Sequence, residues 1–113
     1  MNGHRWAPIK YREFYDVPRI FAVEIDNDNY LFDCIFDDVR DEYSDSYTVY
    51  LLSERLAPLV DTLMDWTNLG SEAVEVSRVH VGDVIFDDSK RKLVNVDELR
   101  KVVAKGRTPR KTP

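Results

Sequence analysis

Ile20-Phe21-Ala22-Val23-Glu24-Ile25-Asp26-Asn27-Asp28-Asn29-Tyr30-Leu31-Phe32-Asp33-Cys34-Ile35-Phe36 is the stretch whose reading decides the fold. Ile20 to Ile25 and Tyr30 to Phe36 are β-branched and aromatic, and the residues between them are turn formers. A two-residue turn at Asn27-Asp28 sets Ile25 opposite Tyr30, Val23 opposite Phe32 and Phe21 opposite Cys34. Those six side chains share one apolar face. The other face receives Glu24 with Leu31 and Ala22 with Asp33, a mixed, half-wet surface. A hairpin over 20–36 is therefore predicted, with Phe21, Val23 and Phe32 in the core.

Residues 37–46, Asp37-Asp38-Val39-Arg40-Asp41-Glu42-Tyr43-Ser44-Asp45-Ser46, follow as an acidic loop whose repulsion favours an extended, solvated path. Tyr47 to Leu52 is a third strand. Leu56, Leu59, Val60, Leu63 and Trp66 step by three and four, predicting a long helix from about Ser53 or Glu54 to Asn68. Pro58 falls in its first turn, where the missing N–H costs little, and Gly70 is its stop. Ala73 to Val81 alternates as a fourth strand. Val84-Ile85-Phe86 and Leu93-Val94 flank a charged tip as a second hairpin, with a helical turn from Gly82-Asp83 as the alternative. Asn95-Val96-Asp97-Glu98 has the form of a capping box. It opens a short helix carrying Leu99, Val102 and Val103 to about Ala104, and Gly106 ends it.

On the N-terminal side, Pro8 and Pro18 bracket Ile9-Lys10-Tyr11-Arg12-Glu13-Phe14-Tyr15, a short edge strand or helical turn within an irregular arm. The expected organisation is an arm over 1–18, a single domain over 19–104 and a basic tail over 105–113. Because the strands come as hairpins, the expected class is α+β. It comprises an antiparallel sheet of about five strands, one long helix packed on a face, and a short C-terminal helix.

With 113 residues, 43% of them hydrophobic, the chain has material for one core. No apolar run reaches the ~18–20 residues of a membrane span, and the N-terminus lacks a signal peptide's apolar region. The single cysteine, Cys34, fits a reducing compartment, so a cytoplasmic protein without membrane attachment is expected.

Charge is divided unevenly. From Glu24 to Asp45 nine acids face Arg40 alone, whereas from Lys90 to Pro113 nine bases face only Asp97 and Glu98. That asymmetry points to an electrostatic partner, another molecule or the chain's own other end.

Chemistry-bearing patterns are weak by comparison. Asp26-Asn27-Asp28 opens like a calcium loop but puts Tyr30 at a ligand position, Leu31 where glycine is needed and Asp37 where a bidentate Glu belongs. One Cys and two His without clustered spacing exclude an ordinary zinc site. Cys34 shares the hairpin's apolar face, where a thiol is inert. His80 reads as a packed histidine on a strand face with Val74 and Val76. Asp37/Asp38 and Asp87/Asp88 fall in loops, where solvent removes the cause of a pKa split. The glycines are isolated, so no phosphate loop is present. The expectation is a protein with no enzymatic activity, no metal and no cofactor.

Tyr30-Leu31-Phe32-Asp33-Cys34-Ile35-Phe36-Asp37-Asp38 and Tyr47-Thr48-Val49-Tyr50-Leu51-Leu52-Ser53-Glu54-Arg55-Leu56 together resemble a family of small bacterial domains of unknown function. Those domains share a strand, an acidic loop, and a strand ending in a polar turn with an S-x-x-R/L pattern. The resemblance implies a small bacterial β-rich protein and carries over no active site.

The functional expectation is a binding or regulatory protein of immunity or accessory type. Its acidic loop and flanking tyrosines, through Asp37, Asp38, Asp41, Glu42, Tyr43, Asp45 and Tyr47, meet a basic protein partner. One alternative is a nucleic-acid-associated protein acting through the basic tail. The strongly acidic remainder opposes that, so nucleic acid is not the expected partner. The other is a self-assembling structural protein, a homodimer at its simplest, in which the basic end of one chain meets another's acidic loop.

Overall fold

The chain runs through β1 (Trp6–Tyr15), β2 (Val17–Ile25), β3 (Asp28–Asp33), β4 (Phe36–Asp37), β5 (Glu42–Tyr43) and β6 (Ser46–Leu52). It continues with α1 (Leu59–Thr62), β7 (Val74–His80), a 3-10 turn (Val81–Asp83), β8 (Leu93–Asn95) and α2 (Val96–Lys105). The computed structural model describes residues 5–62, 66, 69, 72–87 and 92–106. Six strands form one antiparallel sheet in the order β7-β6-β3-β2-β1-β8, and β4-β5 is a separate two-stranded ribbon.

The deciding hairpin forms one turn residue earlier than expected. Asp26 and Asn27 both take positive φ, 53° and 72°, as the two-residue hairpin turn requires. Ile25 therefore pairs with Asp28, Val23 with Tyr30 and Phe21 with Phe32. Moving the turn by one residue moves the register by two, and a shift of two preserves the face. Phe21, Val23, Ile25, Phe32 and Cys34 lie together in the core.

The expected α+β class is overturned: the fold is mostly antiparallel β, and α2 is the one helix longer than a single turn among the described residues. The long helix over 54–68 is replaced, as far as it is described, by successive turns over 54–58 and the four residues of α1. Pro58 is the physical reason. Its absent N–H and its ring interrupt the ladder just where the helix would propagate. The N–H groups of Leu59, Val60 and Asp61 bond three residues back, to Leu56, Ala57 and Pro58. Leu63 and Gly70 lie outside the described residues. Nevertheless Leu56, Val60, Trp66 and Leu69 are buried, and they cover Ile20, Ala22, Leu31 and Leu52. The face expected to be half-wet is thus a second core.

The arm expected over 1–18 is also corrected, since β1 is a ten-residue strand paired with β2 on one side and β8 on the other. Its register with β2 shifts on either side of Glu13, skipping Arg12 on β1 and Arg19 on β2. Such bulges re-aim side chains. Arg12 turns to the second core, with its guanidinium 4.2 Å from the Trp66 ring and donating to the Val60 carbonyl at 2.9 Å.

α2 closes the sheet on itself. Its N-terminus continues directly from β8, with the Asn95 side chain accepting from the Glu98 N–H at 3.1 Å. Its far end is held by β7: the Ser77 hydroxyl donates to the Val103 carbonyl at 2.7 Å, and the Arg78 N–H donates to the Gly106 carbonyl at 3.1 Å. A flat six-stranded sheet would put its edges ~24 Å apart, whereas a ten-residue helix spans ~15 Å. The sheet must curl. Val96, Leu99 and Val103 then fill the curl against Phe21, Phe32, Tyr47 and Val49.

Candidate functional site

The acidic segment is not the extended solvated loop that repulsion suggested. Phe36 pairs with Tyr43 and Asp37 with Glu42, and the Ser44 N–H donates to the Ile35 carbonyl at 2.8 Å. Local bonds offset the like charge. The Asp37 carboxylate accepts from the N–H groups of Val39 and Arg40, and Arg40 lies 3.0 Å from Glu42. Asp41 turns the chain with a φ of 55°. The ribbon presents Ile35, Phe36 and Val39 to solvent, with Val39 95% exposed.

One side of the ribbon walls a groove of about 710 Å³, with Tyr15 and Arg19 behind it and His80, Val81 and Gly82 opposite. Asp41, Glu42, Tyr43 and Asp45 line it from the ribbon side. A second hollow of about 600 Å³ is lined by Ile35, Asp37, Arg40, Glu42, Tyr43, Ser44 and Asp45. The aromatic walls are ordered by ring contacts: Phe36 meets Tyr43 edge-on at 5.0 Å, and Tyr15 lies 5.9 Å from Tyr43.

Arg19 is the groove's cation, delivered by the β2 bulge. Its guanidinium sits 4.5 Å from the Tyr43 ring and 6.0 Å from Tyr15, whose carbonyl accepts from its Nε at 2.8 Å. Its other side reaches the Cys34 sulfur at 3.5 Å. The Cys34 thiol is buried and donates to the Ser44 carbonyl at 3.0 Å. Burial pushes this thiol above its ordinary range, and Arg19 pulls the other way. Cys34 therefore ties the ribbon's return to the inner core and lies beneath the groove.

Of the residues expected to bind a partner, Asp41, Glu42, Tyr43 and Asp45 line the groove, and Asp37 lines the second hollow. Asp38 stands exposed at the ribbon tip. Tyr47 is a correction: it is fully buried, and its hydroxyl donates to the Pro18 carbonyl at 2.6 Å. Strand parity with Val49 turns it inward, and burial pushes its phenol far up.

His80 is a correction in the opposite sense. The buried face of β7 carries Ser77 and Val79, because the register slips beside Val49 and leaves Val76 unpaired. His80 is exposed on the groove wall, where its Nδ1 accepts from the Gly82 N–H at 3.0 Å. Tyr15, Arg19, Phe36 and the 80–82 segment are not among the residues expected to bind a partner. Bulges and a 3-10 turn assemble them, and none of these has a periodic signature.

Asp26 of the calcium-like opening is engaged by Arg100 at 2.8 Å and Arg5 at 3.6 Å. Among the described residues no three of His, Cys, Asp and Glu come together to hold a metal, and no helix is long and apolar enough to cross a membrane. No protein-family model, curated protein or solved structure matches the chain.

Proposed function

We propose that the protein is a non-enzymatic binding module that takes a basic segment of a partner protein into the groove between the β4-β5 ribbon and the Val81–Asp83 turn. The observation that carries this reading is the lining itself. Exposed aromatic and aliphatic side chains stand beside Asp41, Glu42 and Asp45, while the groove's own cation, Arg19, is already stacked on Tyr43. Rigid rings supply apolar contact area and faces for a cation; carboxylates steer and select a basic partner. The exposed Ile35, Phe36 and Val39 on the ribbon extend that contact area. The compartment this reading assumes is the cytoplasm, where one unpaired thiol stays reduced.

Partner recovery from the native host tests it, with wild type and an Asp37→Asn/Asp38→Asn/Asp41→Asn/Glu42→Gln variant as baits. The expected result is one basic protein lost from the variant. Its association with wild type should slow at least ~10-fold between low and ~0.5 M salt. Equal recovery by both baits would remove the ribbon from the function.

A further inference from the structure

We infer that the outer face of the sheet carries a contact point of its own, Asp33, Thr48 and Tyr50 with Glu13 beside them, that receives the guanidinium group of an arginine from a partner polypeptide. It uses no residue of the groove, so it stands or falls independently of the proposed function.

Register brings these residues together. Glu13 pairs with Ile20, Ile20 with Asp33, Asp33 with Thr48 and Thr48 with Arg78, so β1, β2, β3, β6 and β7 each put one residue into a single row. Directly paired residues share a face. Ile20 belongs to the outer core, so the row lies on the outer face. Tyr50, two residues beyond Thr48 and paired with Leu31, stands on that same face next to Asp33.

The polar groups of this row find no use within the chain. Asp33 is half-buried, yet its carboxylate has neither a hydrogen bond nor an ion pair among the described residues. Burial, and after it the charge of Glu13, push its carboxyl above the ordinary carboxylate range. Thr48 is 8% exposed, and its hydroxyl has no hydrogen bond among the described residues. The Tyr50 hydroxyl is likewise unbonded. Neighbouring cations are turned elsewhere: Arg12 lies on Trp66 and donates to the Val60 carbonyl, and Arg78 lies 3.4 Å from Glu75. A half-buried carboxylate beside a second one costs stability until a cation offsets it.

The arrangement of acceptors selects the occupant. Asp33 and Glu13 stand two strands apart, ~10 Å between backbones, a spread that suits a planar fork of donors better than one small ion. Among the described residues no three of His, Cys, Asp and Glu converge there. A guanidinium carries five N–H donors in one plane. Two pair with the Asp33 carboxylate, others reach the Thr48 and Tyr50 oxygens, its face lies on the Tyr50 ring, and Glu13 adds charge. An ammonium has neither the fork nor the plane.

Titrating the full chain with N-acetyl-arginine amide, followed by amide NMR shifts, tests this. The shifts should centre on Asp33, Thr48 and Tyr50. Asp33→Asn should weaken binding at least ~10-fold and Glu13→Gln about 2–5-fold. The Asp37→Asn/Asp38→Asn/Asp41→Asn/Glu42→Gln variant should bind as wild type does. N-acetyl-lysine amide, calcium and free arginine, whose own carboxylate is repelled, should each bind more weakly than the probe. Asp33→Asn should also melt at or above the wild-type temperature, because it removes a desolvated charge that no group of the chain offsets. No binding up to about 10 mM probe, full binding by Asp33→Asn, or loss in the ribbon variant instead would overturn the inference. So would a competitor that matches the probe, or a lowered melting temperature for Asp33→Asn, which would mark its carboxylate as structural.

Discussion

Arg12 and Arg19 are both displaced from the strand register by irregularities in one pair of strands, and they serve opposite faces of the sheet. Arg12 packs on Trp66 in the outer core, whereas Arg19 stacks on Tyr43 in the groove. Beneath Arg19, Cys34 and Tyr47 are buried acids of high pKa. Desolvation raises the thiol above its ordinary 9.0 and the phenol above its ordinary 10.0. Each ionises later in the folded than in the unfolded chain, so each contribution to stability is whole below the unfolded pKa. It is lost as pH rises toward the folded value. Urea unfolding should therefore show stability declining above about pH 9 and more steeply above about pH 10. Tyr47→Phe strands the buried Pro18 carbonyl and should cost about 1–3 kcal/mol at neutral pH. It should also shallow the decline above pH 10.

At the element scale, α2 is the part whose sequence signals and structure agree best. Asn95 caps it as its position three residues before Glu98 suggests, although the Asn95 N–H donates to the Ile85 carbonyl rather than to the Glu98 carboxylate. Gly106 ends it, and the reason is close approach to β7, for its φ of −89° is open to any residue. Gly106→Ala should cost about 1–3 kcal/mol or more, since the obstacle is backbone that cannot swing aside. Gly82→Ala is the contrast: its Cβ would meet only the His80 ring, at 3.2 Å, and an exposed ring can move. Thermal melts of the two variants should separate clearly, with Gly106→Ala the lower. Pro58 shows the converse case: the apolar spacing of Leu56, Leu59 and Val60 marks a stripe turned to the core, but not a long helix. Burial and helix length answer to different physics. The stripe needs only turns to present it, and propagation needs an unbroken N–H ladder.

Over the whole molecule, one curled sheet separates two cores, and each has its own cover. α2 covers the inner one, and Leu56, Val60, Trp66 and Leu69 cover the outer one, with Trp66 2% exposed. Trp66→Ala should therefore cost about 3–5 kcal/mol, a large share of the ~5–15 kcal/mol that holds a domain together. Chemical denaturation by far-UV circular dichroism would measure it. A loss under about 1 kcal/mol would mean that the outer cover contributes little to stability. The same curl brings the end of α2 to β7, where the Arg78 N–H donates to the Gly106 carbonyl.

What the sequence determined by itself is whatever depends on near neighbours and on parity. Alternation placed Phe21, Val23 and Phe32 inside, and it survived a two-residue slip in register because side chains repeat every two residues. Apolar spacing found Leu56, Val60 and Trp66, and the acidic run found four of the groove's residues. Parity would have placed Tyr47 inside as well, had its strand been read with Val49 as the inward residue. Only the tertiary structure decided what depends on two irregular segments meeting. Arg19 reaches Tyr43 through a bulge, His80 faces out because β7 slips beside Val49, and β1 becomes an interior strand because β8 returns to pair with it. A bulge shifts every later side chain to the other face while leaving composition and periodicity almost unchanged. Its position is set by the partner strand, and that partner is chosen by the fold.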